Sequence, residues 1–189
     1  QDETGLLDLP KPTLLGAHQI ENAGIALAAL RVMGKGEAAC EAAMTRAVWP
    51  ARMQRLRHGP LVDSAPRAEV WLDGGHNPHA ARAIAALLAG MGVRPTHLIC
   101  GMLNTKDVTG FMAPLAAVAQ SLHAVSIPGQ SATLTASDTA TAARAAGLRA
   151  HEADSVAAAL ATITTQDPEA RILICGSLYL AGEILKANG

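Results

Sequence analysis

Residues 71–88 read WLDGGHNPHAARAIAALL. The stretch passes from apolar residues through an acid and two glycines to a histidine and an asparagine, then into an alanine-rich run. It reads as a strand, a turn and a helix. Asn77-Pro78 suits a helix start, with Asn as the cap and Pro in the first helical position. Gly74 and Gly75 allow a close backbone approach or a positive φ. In open α/β sheets ligands sit outside the carboxyl ends of strands, and Asp73 stands at such an end. A helix N-terminus offers free N–H groups and a positive dipole end, which favours an anion. His76, beside it, is a candidate for binding a carboxylate or phosphate. Asp73 is a candidate acceptor for ribose hydroxyls or a ligand amine. A plain Asn-Pro cap with a bystander histidine and a turn aspartate accounts for the same residues, and the residues alone leave both readings open.

Working outward, short apolar runs alternate with helical segments. GPLVD (59–63), EVWLD (69–73), THLICG (96–101), LHAVSI (122–127), LRAHEA (148–153) and ARILICG (170–176) are candidate strands. The run from 78 to 91 and the segments 107–119, 137–147, 154–165 and 177–188 are candidate helices. This alternation predicts a Rossmann-like, mostly parallel sheet with helices on both faces, occupying residues 49–189.

Residues 1–48 break the pattern. A helix over 17–33 carries an apolar stripe at 20, 23, 27, 30 and 33, closed by Gly34 and Gly36. A second helix over 37–48 stops at Trp49-Pro50. Two short helices bury little by themselves, so this part is expected to be the tail of a preceding domain. The chain opens on Gln1 rather than Met, in keeping with a fragment.

The 189 residues are half apolar and only 16% charged, with a formal net charge of −1. Such a balance gives no general pull toward nucleic acid or anionic membrane. The longest apolar stretches fall short of the ~20 residues a membrane span requires, and no signal peptide is apparent. Cys40, Cys100 and Cys175 are far apart and form no CxxC pair, which argues against a zinc site or a disulfide framework and for a reducing cytoplasm. Cys100 and Cys175 read as small buried hydrophobes at strand ends.

Three further clusters stand out. WPARMQRLRHG (49–59) holds Arg52, Arg55, Arg57 and His58. Arg55 and Arg57 alternate as on the solvent face of a strand, whereas Arg52, directly after the interdomain break, is placed to reach a phosphate. GMLNTKD (101–107) puts Lys106 and Asp107 at another strand-to-helix turn, where Asp107 also fits an N-cap. In GAHQIENAG (16–24), His18 and Asn22 share one helical face, for which solvent exposure is the simple reading.

Taken together, GAHQIENAGIALAAL, WPARMQRL, LDGGHNPHAA and GMLNTKD, in this order and spacing, resemble the dihydrofolate synthase/folylpolyglutamate synthase family of the Mur ligase superfamily. The resemblance runs from about Leu9 to the last helix. Ala51 stands where family members often have Gly, and Gly75 where they often have Ala. Ala51 implies that its turn does not need a positive φ. The family's P-loop is absent, since no G-x-x-x-x-G-K-[ST] occurs. The resemblance therefore implies the Mur ligase C-terminal domain over 49–189 and the tail of a central ATPase domain over 1–48. The P-loop and the Mg²⁺ ligands would lie in the missing N-terminal part.

The resemblance also implies roles. Asn22 would contact the adenine of ATP, Arg52 the nucleotide phosphates, and Asp73 the ribose or adenosine. His76 would sit near the incoming glutamate or the phosphates. Lys106 and Asp107 match a Lys-Asp pair of less defined role, and Ser177 is a candidate for the glutamate carboxylate. The implied reaction phosphorylates a pteroate or folate carboxylate from ATP, and the amine of L-glutamate then attacks the acyl phosphate. The implied partners are these small molecules and the protein's own N-terminal ATPase domain, in a cytoplasmic monomer that binds neither nucleic acid nor membrane. Residues 1–189 alone are expected to be inactive, with at most weak nucleotide affinity. The rival readings are a muramyl-peptide ligase of the Mur type, a stand-alone Rossmann-like nucleotide-binding domain, and a non-catalytic interaction module.

Overall fold

In the structure, a computed structural model, residues 5–188 are described. The chain divides at Pro50/Ala51 into two compact units.

The first unit holds α1 (Ala17–Val32) and α2 (Glu37–Arg46), which pack on each other. Gly16 precedes α1 at φ 110, and a Cβ there would lie 2.7 Å from the His18 ring. The apolar stripe expected on α1 is not a buried face. Ile20 and Met33 are exposed, Ala23, Leu27 and Leu30 are half-buried, and the buried residue of α1 is Gln19. This agrees with the expectation that two short helices, of 16 and 10 residues, bury little by themselves.

The second unit contains β1 (Gln54–Leu56), α3 (Pro60–Asp63), β2 (Glu69–Leu72), α4 (Pro78–Gly90), β3 (Thr96–Cys100), α5 (Val108–Leu115), β4 (Ser121–Ala124), α6 (Ala136–Ala145), β5 (Ala150–Glu152), α7 (Val156–Gln166), β6 (Arg171–Cys175) and α8 (Leu178–Asn188). The strands form one sheet in the order β1-β2-β6-β3-β4-β5, parallel except for the edge strand β1. The α/β expectation holds. Central β3 and β6 are buried along their whole length, as continuous apolar runs between two helical layers should be.

GPLVD, read above as a strand, is instead the single helical turn α3. Pro60 takes its first position, and Gly59 precedes it at φ 100. A side chain at residue 59 would run into Asn188 at the end of α8. The Asn188 amide clamps this turn, donating to the His58 carbonyl at 2.7 Å and accepting the Leu61 N–H at 3.0 Å. A short apolar run between turn residues is ambiguous by itself, and a side chain from the far end of the domain decides it.

The connections explain the two layers. Helices α4, α5 and α6 bury Ile84, Leu88, Phe111, Met112 and Ala143 against one face. On the other face α7 and α8 bury Leu160, Ile163, Leu180 and Ile184. Strand β6 returns between β2 and β3. The helix after β2 therefore leaves toward one face, and the helix after the adjacent β6 leaves toward the other. This divergence makes the carboxyl ends of β2 and β6 a topological switch point, the place where open α/β sheets bind ligands in a crevice.

At the opposite end of the sheet lie two polar networks. Burial pushes the Glu69 carboxyl up, but hydrogen bonds from Trp71 and Arg171 and the charge of Arg55 outweigh it and hold the group below its ordinary value. Arg55 also lies over the Trp71 ring, 5.9 Å from its centroid, so it is an exposed β1 residue with partners rather than a bare solvent face. His97 bridges the Ser121 hydroxyl at 2.8 Å and the Asp167 carboxylate at 2.9 Å.

Candidate functional site

The segment after β2 lies at this switch point. The Asp73 N–H donates to the Ile174 carbonyl at 2.9 Å, which extends the β2–β6 ladder by one bond and fixes the Asp73 backbone in the sheet. Its side chain is 5% exposed. Asp73 Oδ1 accepts the Gly75 N–H at 2.7 Å, and Oδ2 accepts the Met53 N–H at 2.8 Å. Gly74 is packed under the Leu178 side chain, and a Cβ there would collide with it. Asn77 caps α4 by accepting the Ala80 N–H at 2.9 Å, with Pro78 in the first turn. The His76 Nδ1–H donates to the Gly74 carbonyl at 3.0 Å. That bond fixes the ring's tautomer when it is neutral, leaving Nε2 as the nitrogen available to a ligand.

Arg52 is exposed, on a turn bonded to Asp73, the residue directly after β2. Ala51 and Met53, on either side of it, are the two non-glycine residues with positive φ among those described, at 55° and 42°. The inference that an alanine at residue 51 means no positive φ is therefore corrected. The conformation is imposed from outside the turn. The Ala51 carbonyl accepts the Gly74 N–H at 2.8 Å, its N–H donates to Gln54 Oε1 at 2.9 Å, and the Met53 N–H goes to Asp73. Three satisfied backbone groups offset the cost of the left-handed region.

The β6 side contributes Ser177, 3% exposed, whose Oγ accepts the Tyr179 N–H at 3.0 Å in a helix-capping bond. Leu178 and Tyr179 follow it, both more than half exposed. This apolar pair beside the switch point went unremarked in the sequence, although SLY directly after a strand-ending CG was a visible signal. Cys175 and Cys100 end the two central strands, both buried and reduced. The hydrogen bond with Cys100, burial and the nearby Asp73 charge all push the Cys175 thiol well above its ordinary value.

The loop after β3 also reaches this end of the sheet. Asp107 caps α5 by accepting the Gly110 N–H at 2.9 Å, the simpler of its two readings. Gly110 packs so closely on α4 that a Cβ would lie 2.8 Å from Pro78, which brings the Lys106–Asp107 turn beside the start of α4. Lys106 is exposed. Thus Asp73, His76 and Ser177 stand just after the carboxyl ends of β2 and β6, Arg52 on the turn bonded to Asp73 and Gly74, and Lys106 on the loop packed beside the start of α4.

Asn22 lies in the other unit, exposed on α1. Its amide donates to Gln19 Oε1 at 3.2 Å, and the Gln19 amide meets His18 Nε2 at 2.9 Å. The H-Q-x-x-N element is thus one hydrogen-bonded row.

A separate groove of about 420 Å³ lies between α7 and the edge of the sheet, lined by His123, His151, Glu152, Asp154, Thr162 and Gln166 among others. Its histidines were not singled out in the sequence. Among the described residues no three His, Cys, Asp or Glu side chains converge as a metal ion would require, and no helix is long and apolar enough to cross a membrane.

Comparison with known proteins gives a consistent result. Residues 51–178 match the family described as Mur ligase, glutamate ligase domain. The folylpolyglutamate synthase of Lacticaseibacillus casei is 28% identical, over 97% of this chain and 41% of that protein. A Haloferax volcanii protein named as a probable bifunctional folylpolyglutamate synthase/dihydropteroate synthase is 31% identical, over 94% of this chain and 20% of its own length. Among solved structures, E. coli FolC in complex with DHPP and ADP matches with a TM-score of 0.80 at 28% identity, covering 98% of this chain and 42% of that one. Mycobacterium tuberculosis folylpolyglutamate synthase complexed with ADP and AMPPCP matches at 0.77 and 31%, covering 93% and 41%. The chain therefore spans less than half the length of the relatives it matches.

Proposed function

The chain belongs to the Mur ligase glutamate ligase domain family, and from that premise we propose that it is the C-terminal part of an ATP-dependent ligase. That ligase adds L-glutamate to dihydropteroate, to folylpolyglutamate, or to both, and serves folate metabolism. Residues 49–189 are its glutamate ligase domain, and residues 1–48 the tail of a central ATPase domain that precedes it.

The observation that supports the reading is that the turn carrying Arg52 is bonded to Asp73 and Gly74, in the segment that leads through His76 to the amino end of α4. An exposed guanidinium and the positive dipole end of a helix suit crowded phosphate and carboxylate oxygens. The His76 Nε2, oriented by the Gly74 carbonyl, suits the amino acid or a phosphate oxygen. Ser177 is assigned to the glutamate carboxylate and Lys106 to the phosphates, by their places at the ends of β6 and of the loop after β3. Asn22 serves the adenine from the ATPase side. ATP, when bound, supplies the phosphoryl group that turns a poorly reactive carboxylate into an acylating agent. Mg²⁺ is assigned to groups outside this chain. This chain's own residues neutralise and orient the reacting charges, which is preorganised electrostatic stabilisation.

The test is ADP release by the purified full-length protein with ATP, L-glutamate and either dihydropteroate or tetrahydrofolate. Glutamate-dependent turnover with at least one acceptor is expected, while residues 1–189 alone release none. No turnover with either acceptor would overturn the reading.

A further inference from the structure

The groove beside α7 contains a buried polar ring that the fold leaves without a hydrogen bond. Helix α7 starts after the edge strand β5 and packs on β3 on its way back to β6. The groove, of about 420 Å³, is within the usual size of small-ligand pockets, with β4 and β5 as its second wall. His123 on β4 and His151 on β5 are partners in the parallel register, their ring centroids 5.3 Å apart. His123 is 5% exposed and lines the groove. Among the described residues no hydrogen bond reaches its ring nitrogens. Buried polar groups ordinarily have such a partner, and here the open side of the ring is the groove.

The lining selects the chemistry of a ligand. Glu152 and Asp154 bring two carboxylates to the β5–α7 turn, Thr162 and Gln166 bring a hydroxyl and an amide further along α7, and no Lys or Arg is among the described lining. The Arg149 Nε–H, just before β5, donates to the Gln120 carbonyl at 2.9 Å. Burial, with the charges of His151 and His97, lowers the His123 pKa to about 4, so near neutral pH the ring is uncharged and offers one acceptor nitrogen. The field therefore favours a cation over an anion. A metal ion needs three side chains to converge, which these do not, whereas a two-ended molecule spans them.

We propose that this groove binds a small protonated amine with a second hydrogen-bonding group, its ammonium at Glu152 and Asp154 and its second group at His123. The proposal does not rest on the ligase reading.

The test is calorimetric titration of the full-length protein with 4-aminobutan-1-ol, alongside the histidine ring resonances by NMR. The controls are butane-1,4-diol, which lacks the charge, butylamine, which lacks the second group, and inorganic phosphate. The amino alcohol is expected to bind and to shift the His123 resonances, with each control about tenfold weaker or worse. Glu152→Gln/Asp154→Asn and His123→Leu are each expected to weaken it about tenfold. The first variant changes two exposed residues, so it decides the matter if His123→Leu does not fold. No heat and no shift at millimolar amino alcohol, phosphate binding more tightly than the amine, or binding unchanged in Glu152→Gln/Asp154→Asn would each overturn the proposal.

Discussion

The N–H of Gly176 donates to the carbonyl of Gly75 at 3.1 Å. This bond ties the turn before α4 to the turn before α8, the two segments that diverge to opposite faces of the sheet. The switch point is therefore floored by a bridged pair of turns, and its shape depends on both.

Gly176 has φ 102, and a Cβ there would lie 2.6 Å from Cys100 Sγ and 2.7 Å from the Gly101 carbonyl. Gly176→Ala is expected to destabilise the domain by about 2–4 kcal/mol, combining left-handed strain with overpacking against backbone. Urea unfolding of the two proteins measures it, and a change below about 0.5 kcal/mol would contradict the packing described.

Ala51→Gly should act the other way. Relief of a left-handed alanine gains about 1–2 kcal/mol, and the added freedom of glycine in the unfolded chain offsets about 0.5–1 kcal/mol. The expected net is a stabilisation of about 0–1.5 kcal/mol. A lower urea midpoint in the variant would show that the turn is not strained at residue 51.

The pH dependence follows from His123, whose ring lies 5.3 Å from that of His151 on the adjacent strand. Burial, with the charges of His151 and His97, lowers its pKa from 6.5 to about 4. The folded value lies below the unfolded one, so the unfolded chain takes up the proton first as the pH falls. Stability is full above pH 6.5 and is lost progressively down to about pH 4, by no more than about 3 kcal/mol from this group. His97, lowered mainly by burial and partly restored by Asp167, adds in the same direction. His123→Gln should flatten the slope of unfolding free energy against pH in that window, and an unchanged slope would remove His123 as its source.

Arg52→Ala in the full-length enzyme is expected to lower the rate on the order of 10²–10³-fold, as loss of one preorganised electrostatic group does. Because Arg52 is exposed, its removal should leave the melting temperature nearly unchanged. Activity within about threefold of wild type would disprove its role.

Much of this was legible locally. Strand-to-helix alternation, the Asn77-Pro78 start of α4 and the Asp107 cap are written in residues a few positions apart, where apolar period, capping groups and proline act. So was the co-occurrence of the motifs that pointed to a family. The two misreadings, at Ala51 and at Pro60–Asp63, are cases in which residues distant in the chain take part. Ala51 has no local reason to adopt φ 55; the hydrogen bond from Gly74 and the tie from Met53 to Asp73 impose it. Pro60–Asp63 turns helical because Asn188 meets it. The α1 stripe, on a pair of short helices expected to bury little, is half-buried or exposed, because burial requires a partner surface and spacing does not supply one.

The sequence by itself therefore determined the elements, their alternation and the chemical types offered at the strand ends, because those depend on backbone preference and nearest neighbours. Only the tertiary structure decided which ends meet. The return of β6 between β2 and β3 brings Gly75 against Gly176, and the Asp73 carboxylate against the Arg52 turn. Backbone groups along the chain carry no record of which distant partner will satisfy them, and that pairing is chosen by the packing of the whole sheet.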